Sequence, residues 1–191
     1  YDVNASGWKS WNGTLGSLTD GIIDTYKAFF VQSIDVGDLY LQINYPNDGG
    51  EGEGGGLVDK AVSTKNPQYF SIELSDTSGL KNKAWFQFSE DGEFGLDASD
   101  AHQLNPLSSN YVTLASILND TTHLDINSLP LITEPFEISL ALQTSASGTT
   151  HRISKGDLNI PEGWEVSLHD SELDLTTDLD EEYVFTMNTA K

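Results

Sequence analysis

The chain has 191 residues, no cysteine, and 9 Lys and Arg set against 30 Asp and Glu, for a net charge of −21. Lack of cysteine excludes disulfide frameworks, thiol nucleophiles and thiolate metal sites, and the negative field opposes binding to nucleic acid or to an anionic membrane surface. With 37% hydrophobic and 10% aromatic residues the chain can build a packed core, yet it has no stretch of about 18 apolar residues to insert into a membrane.

Near the start, Trp8 and Trp11 flank Lys9 and Ser10 and lead into Asn12-Gly13, a hairpin turn signal. Indole faces beside an amide suit a sugar-binding groove, so Trp8, Trp11 and Asn12 are the candidate carbohydrate site. Three residues apart, the two rings would leave a regular strand on opposite faces, and core packing is the competing reading. Residues 28–33 read as a buried strand, and 39–45 alternate cleanly with Leu39, Leu41, Ile43 and Tyr45 on one face. Residues 47–56 then hold six glycines, three acids and no apolar side chain, as expected of a loop or linker over 47–66. A phosphate cradle would need a Lys-Ser/Thr ending, which is missing here, and would not tolerate Glu51 and Glu53.

Residues 69–74 and 84–88 read as strand partners across a turn holding Asp76, Ser78 and Gly79. Further strands are expected at 111–114, 136–142, 151–153, 164–168 and 183–187, with Trp85 and Trp164 in the core and helix limited to a turn near 114–118. Short strands broken by Gly, Asn, Asp and Pro predict an all-β fold, a β-sandwich or jelly roll, with two packed β modules. The expected division is a partial N-terminal module over 1–46, the linker over 47–66, and a C-terminal sandwich over 67–191.

Chemistry is sparse. His102, His123, His151 and His169 are the bases that titrate near neutrality, and no serine lies in a Gly-x-Ser-x-Gly turn. Each histidine therefore reads as a strand or loop residue, and no catalytic residue or cofactor is expected. Among so many acids a glycosidase-like carboxylate pair is the competing reading. Asp97 and Asp100, and again Asp170, Asp174, Asp178 and Asp180, are oxygen-rich enough to suit calcium. Neither group has the spacing of a dedicated calcium loop, and a self-capping turn and a solvated edge are the plainer readings.

From Gly95 onward the order of phrases becomes informative. Gly95-Leu96-Asp97-Ala98-Ser99-Asp100-Ala101 is followed by Leu124-Asp125-Ile126-Asn127-Ser128-Leu129-Pro130, then Pro161-Glu162-Gly163-Trp164, Leu168-His169-Asp170 and Tyr183-Val184-Phe185-Thr186. Together with Ser10-Trp11-Asn12-Gly13, Ile23 and Ala28-Phe29-Phe30-Val31, this resembles the C-terminal region of large extracellular proteins exported by the type IX secretion pathway, the module before the sorting domain. The resemblance implies a trimmed or processed piece of a longer secreted bacterial surface protein, and it transfers no catalytic residue. The expected function is a non-catalytic structural or adhesive module. Its partners would be copies of itself or other surface proteins, joined by strand addition at open β-edges into a filament or surface layer. A carbohydrate-binding accessory module of a secreted enzyme, with glycans as partners, is the alternative.

Overall fold

The computed structural model describes residues 7–12, 14–18 and 67–188, which belong to one compact unit. The strands expected at 28–33 and 39–45 and the glycine-rich stretch 47–66 lie outside the described residues. Among the described residues the fold is all-β and sandwich-like, without helix.

Its centre is a hairpin of β1 (Gln68–Asp76) and β2 (Lys81–Ser89), in register from Gln68↔Phe88 to Ser75↔Lys81. Asp76 closes the turn: its Oδ1 accepts the N–H groups of Ser78 and Leu80, each at 2.9 Å. Because strand side chains alternate, Phe70, Ile72 and Leu74 share one face with Ala84, Phe86 and Phe88, while Tyr69 and Ser71 share the other with Lys83, Trp85 and Gln87. The first face is the core side. Phe70 stacks on Phe86 at 4.6 Å, and Phe88 meets the Trp164 ring edge-on at 5.3 Å.

The sheet grows from both edges of this hairpin. On the β1 side stand β7 (Thr149–Asn159) and then β10 (Tyr183–Met187), both antiparallel. On the β2 side β5 (Thr122–Pro130) runs parallel, followed by β4 (Val112–Asn119) and β6 (Leu140–Thr144), with the short β3 (Ala101–His102) also pairing with β5. The sheet curls so that β4 lies over the hairpin it does not pair with; the Leu114 N–H donates to Asn82 Oδ1 at 2.7 Å. A separate ribbon of β8 (Ser167–Asp170) and β9 (Leu175–Asp178) completes the fold. Ile72, Leu74, Phe86, Leu114 and Ile153 form the buried centre, with Leu179 and Tyr183 closing it from the C-terminal end.

The helical turn expected near 114–118 is instead part of β4. This strand is buried on both faces, with Val112 and Leu114 toward the core and Thr113 and Ala115 behind them, so it lacks the alternation that marks a half-exposed strand. The expected strands at 136–142 and 164–168 begin later, at Leu140 and Ser167. Phe136, Ile138 and Trp164 still pack on the core from irregular backbone.

Candidate binding groove

The face of the hairpin turned away from the core forms the floor of a groove of about 500 Å³. Tyr69, Lys83 and Trp85 line it from the strands, and Trp11 and residues 14–18 wall it. That wall is a small turn held by an antiparallel bridge between Trp11 and Gly16. Gly16 (φ 145°) has to be glycine, since a Cβ there would lie 2.1 Å from the Ser10 carbonyl oxygen.

Asn12 fixes this wall to the body. Its Oδ1 accepts the N–H groups of Thr14 and Leu15 at 2.9 and 2.8 Å, while its Nδ2 donates to Gln87 Oε1 at 3.1 Å and to the Ser99 carbonyl at 2.7 Å. An asparagine amide can do little more, so this candidate ligand residue is a structural anchor. Trp11 does line the groove, whereas Trp8 turns elsewhere and donates its Nε1–H to the Asn105 carbonyl at 2.8 Å. The structure thus separates the two tryptophans.

The opposite wall comes from an irregularity that the sequence hides. Between the pairs Phe70↔Leu158 and Ile72↔Lys155, two residues of β7, Gly156 and Asp157, face the single residue Ser71. Such a bulge re-aims a side chain. Gly156 makes it possible, because a Cβ would sit 2.4 Å from Ser71 Oγ. The Asp157 N–H then donates to Ser71 Oγ at 2.7 Å, and its carboxylate accepts from Lys83 Nζ at 2.8 Å. The Lys83 ammonium also lies 5.5 Å above the Trp85 ring. Hydrogen bonding from Lys83 holds the Asp157 carboxyl below its ordinary value, against the opposing effect of burial. Trp85 is 8% exposed, and its indole Nε1–H is buried without a hydrogen-bond partner among the described residues. The groove therefore offers rings and a fixed ammonium–carboxylate pair.

The remaining candidates serve the fold. Asp97 accepts the N–H of Ser99 at 2.6 Å and of Glu93 at 3.1 Å, and Asp100 accepts those of Ser128 and Asp97 at 2.7 and 2.8 Å. Calcium at this turn would have to displace those donors. Burial pushes the Asp100 carboxyl up to about 6 despite the two N–H groups, with the Asp97 charge adding to the rise. Asp170 caps the β8–β9 turn through the N–H groups of Glu172 and Leu173 and accepts the Tyr183 hydroxyl, while Asp178 accepts the Asp180 N–H and Asp180 pairs with Lys155. Among the described residues no three His, Cys, Asp or Glu side chains gather as a metal would require. His151 is fully buried on β7 and stacked on Phe185, and His169 is held by Thr176 Oγ1 at 3.1 Å.

Set against family models, curated proteins and solved structures, the chain matches none of them. What the groove can do rests on its own chemistry.

Proposed function

We propose that the chain is a non-catalytic adhesive module of a secreted bacterial cell-surface protein, and that the groove walled by Trp11 takes a glycan. The carrying observation is the pairing of Trp11 and Tyr69 with the Lys83–Asp157 ion pair around one open groove. Sugars present apolar C–H faces and polar edges. Rings accept the first, and a fixed donor and acceptor accept the second. An adhesive role needs affinity and no reacting group, which agrees with a groove whose one carboxylate is held ionised by a neighbouring ammonium.

Affinity electrophoresis through gels containing xylan, mannan or hydroxyethyl cellulose tests this reading. At least one polymer is expected to retard the chain, and Trp11→Ala should weaken that retardation by about tenfold, the equivalent of ~1.4 kcal/mol. Equal mobility in all gels, or equal retardation of the variant, rejects the groove as the adhesive face.

A further inference from the structure

β2 and β5 run parallel, so both end at the same rim of the sheet, where Ser89 pairs with Pro130. The segment that follows β2 and the segment that follows β5 leave from that rim and meet there. The Phe94 ring stands edge-on to Phe136 at 6.0 Å, and Phe136 stands edge-on to Phe88 of the core at 6.4 Å. Phe136 is half-buried. Phe94 is 65% exposed, and Leu96 and Leu131, on the same two segments, are exposed as well.

The loop that carries Phe94 is fixed. Its Gly92 backbone lies so close to β5 that a Cβ would sit 2.2 Å from the Leu129 carbonyl oxygen, and Asp97 accepts the Glu93 N–H at 3.1 Å. A single exposed apolar side chain means little. An aromatic ring held outward among other apolar residues marks an interaction face.

Charge indicates what covers it. Residues 84–151 contain no lysine or arginine, whereas Asp91, Glu93, Glu134 and Glu137 flank the two phenylalanines in sequence and are exposed. Lys81, Lys83, Arg152 and Lys155 lie toward the opposite end of the hairpin by register, and each is already ion-paired. A second copy would bring the same acids and a further charge of −21 to the contact, and an anionic membrane would be repelled likewise. Apolar side chains set among Lys or Arg match both features of the rim. We infer that this rim docks a cationic amphipathic segment of another protein, with Phe94, Leu96 and Leu131 against its apolar face and the flanking acids against its basic residues.

Calorimetric titration of the whole chain with three synthetic peptides of one length tests the inference. One is a Leu/Lys amphipathic peptide, one a Ser/Lys peptide of equal charge, and one a Leu/Glu peptide of opposite charge. The Leu/Lys peptide should saturate a single site and bind about tenfold more tightly than the Ser/Lys peptide, and the Leu/Glu peptide should not bind. Phe94→Ser should weaken the Leu/Lys complex about tenfold, and the double change Glu134→Gln with Glu137→Gln should do the same. If Phe94→Ser lowers stability, Leu131→Ser replaces it. Leu173→Ser, at a leucine just as exposed among the acids of the β8–β9 turn, should leave the affinity unchanged. So should Trp11→Ala, which separates this face from the groove. Failure of the Leu/Lys peptide to bind overturns the inference, as does equal affinity for the Ser/Lys peptide, since the negative field alone would then account for binding. An affinity that Phe94→Ser leaves intact, or that Leu173→Ser lowers as much, overturns it too. A dimer in sedimentation that Phe94→Ser converts to monomer would assign the rim to a second copy instead.

Discussion

Two groups of aspartates in this molecule carry the same side chain in opposite states. Asp125 on β5 is 4% exposed, and burial pushes its carboxyl up to about 8, only partly offset by the Gln103 amide facing it. Asp100, on the turn before β3, goes the same way for the same reason. Near the β7 bulge and the β8–β9 turn the outcome reverses. Lys83 lowers Asp157, and the Tyr183 hydroxyl, helped by the Leu173 N–H, lowers Asp170. Desolvation wins where a carboxyl lies inside the sheet, and a specific donor wins where water remains. A formal charge of −21 therefore overstates the folded molecule's field, because Asp125 keeps its proton at neutral pH.

The largest test of this contrast is Asp125→Asn. In the folded chain Asp125 titrates near 8, above the ordinary 3.8, so it holds a proton that unfolding releases. Stability from this group is complete below the unfolded value and is lost as pH rises from about 4 to about 8. Three units of that window, at about 1.4 kcal/mol each, amount to about 4 kcal/mol by neutral pH. An amide at this position cannot ionise, so the substitution removes the dependence. The variant should match the parent in urea midpoint near pH ~4 and exceed it near pH ~8. A parent whose midpoint is flat or rises across that range contradicts a neutral, buried Asp125.

Asp100→Ala probes the other buried acid and should cost about 2 kcal/mol near neutrality. The Ser128 N–H, on a residue that is 0% exposed, would lose its 2.7 Å acceptor and remain buried. Asp100→Asn keeps one acceptor oxygen and should cost less than Ala. Urea midpoints rank the three chains; an Ala variant as stable as the parent would mean that this turn does not clamp β5.

The β1–β2 hairpin and β10 were legible because apolar residues alternate there beside plain turn chemistry at Asp76. β5 was not. Its buried run includes Asp125, Asn127 and Ser128, which read as loop residues until neighbouring strands bury them; Asn127, for one, donates to Ser116 Oγ at 3.0 Å. β7 was seen only over 151–153, because Gly156 and Asp157 form a bulge that breaks the alternation. The groove shows the same division. Trp11 could be named from the sequence, but Tyr69, Trp85 and Asp157 reach it only through strand pairing and the bulge. The quoted phrases also touch one another in space: Asp100 holds Ser128, Asp170 holds Tyr183, and Asn12 holds Ser99. Their polar residues act as clamps between segments, so their order along the chain reports on the fold.

The smallest expected effect on stability belongs to the exposed member of the comparison, and it is the one that bears on binding. Lys83 and Asp157 are 28% and 53% exposed at the side chain, so their ion pair contributes less than about 1 kcal/mol. Since the folded carboxyl lies below its ordinary value, that contribution is present above about pH 4 and fades as pH falls through the lowered value. Asp157→Asn should thus barely move the urea midpoint at neutral pH, unlike Asp125→Asn. In the groove the same change removes an ionised acceptor and loosens Lys83, and retardation by the polysaccharide that the parent binds should drop severalfold. A midpoint shift as large as that of Asp125→Asn would put Asp157 among the buried acids and break the contrast. Unaltered retardation with an unaltered midpoint would leave the contrast standing and confine the glycan to the aromatic side of the groove, where Trp11 and Tyr69 alone would carry it.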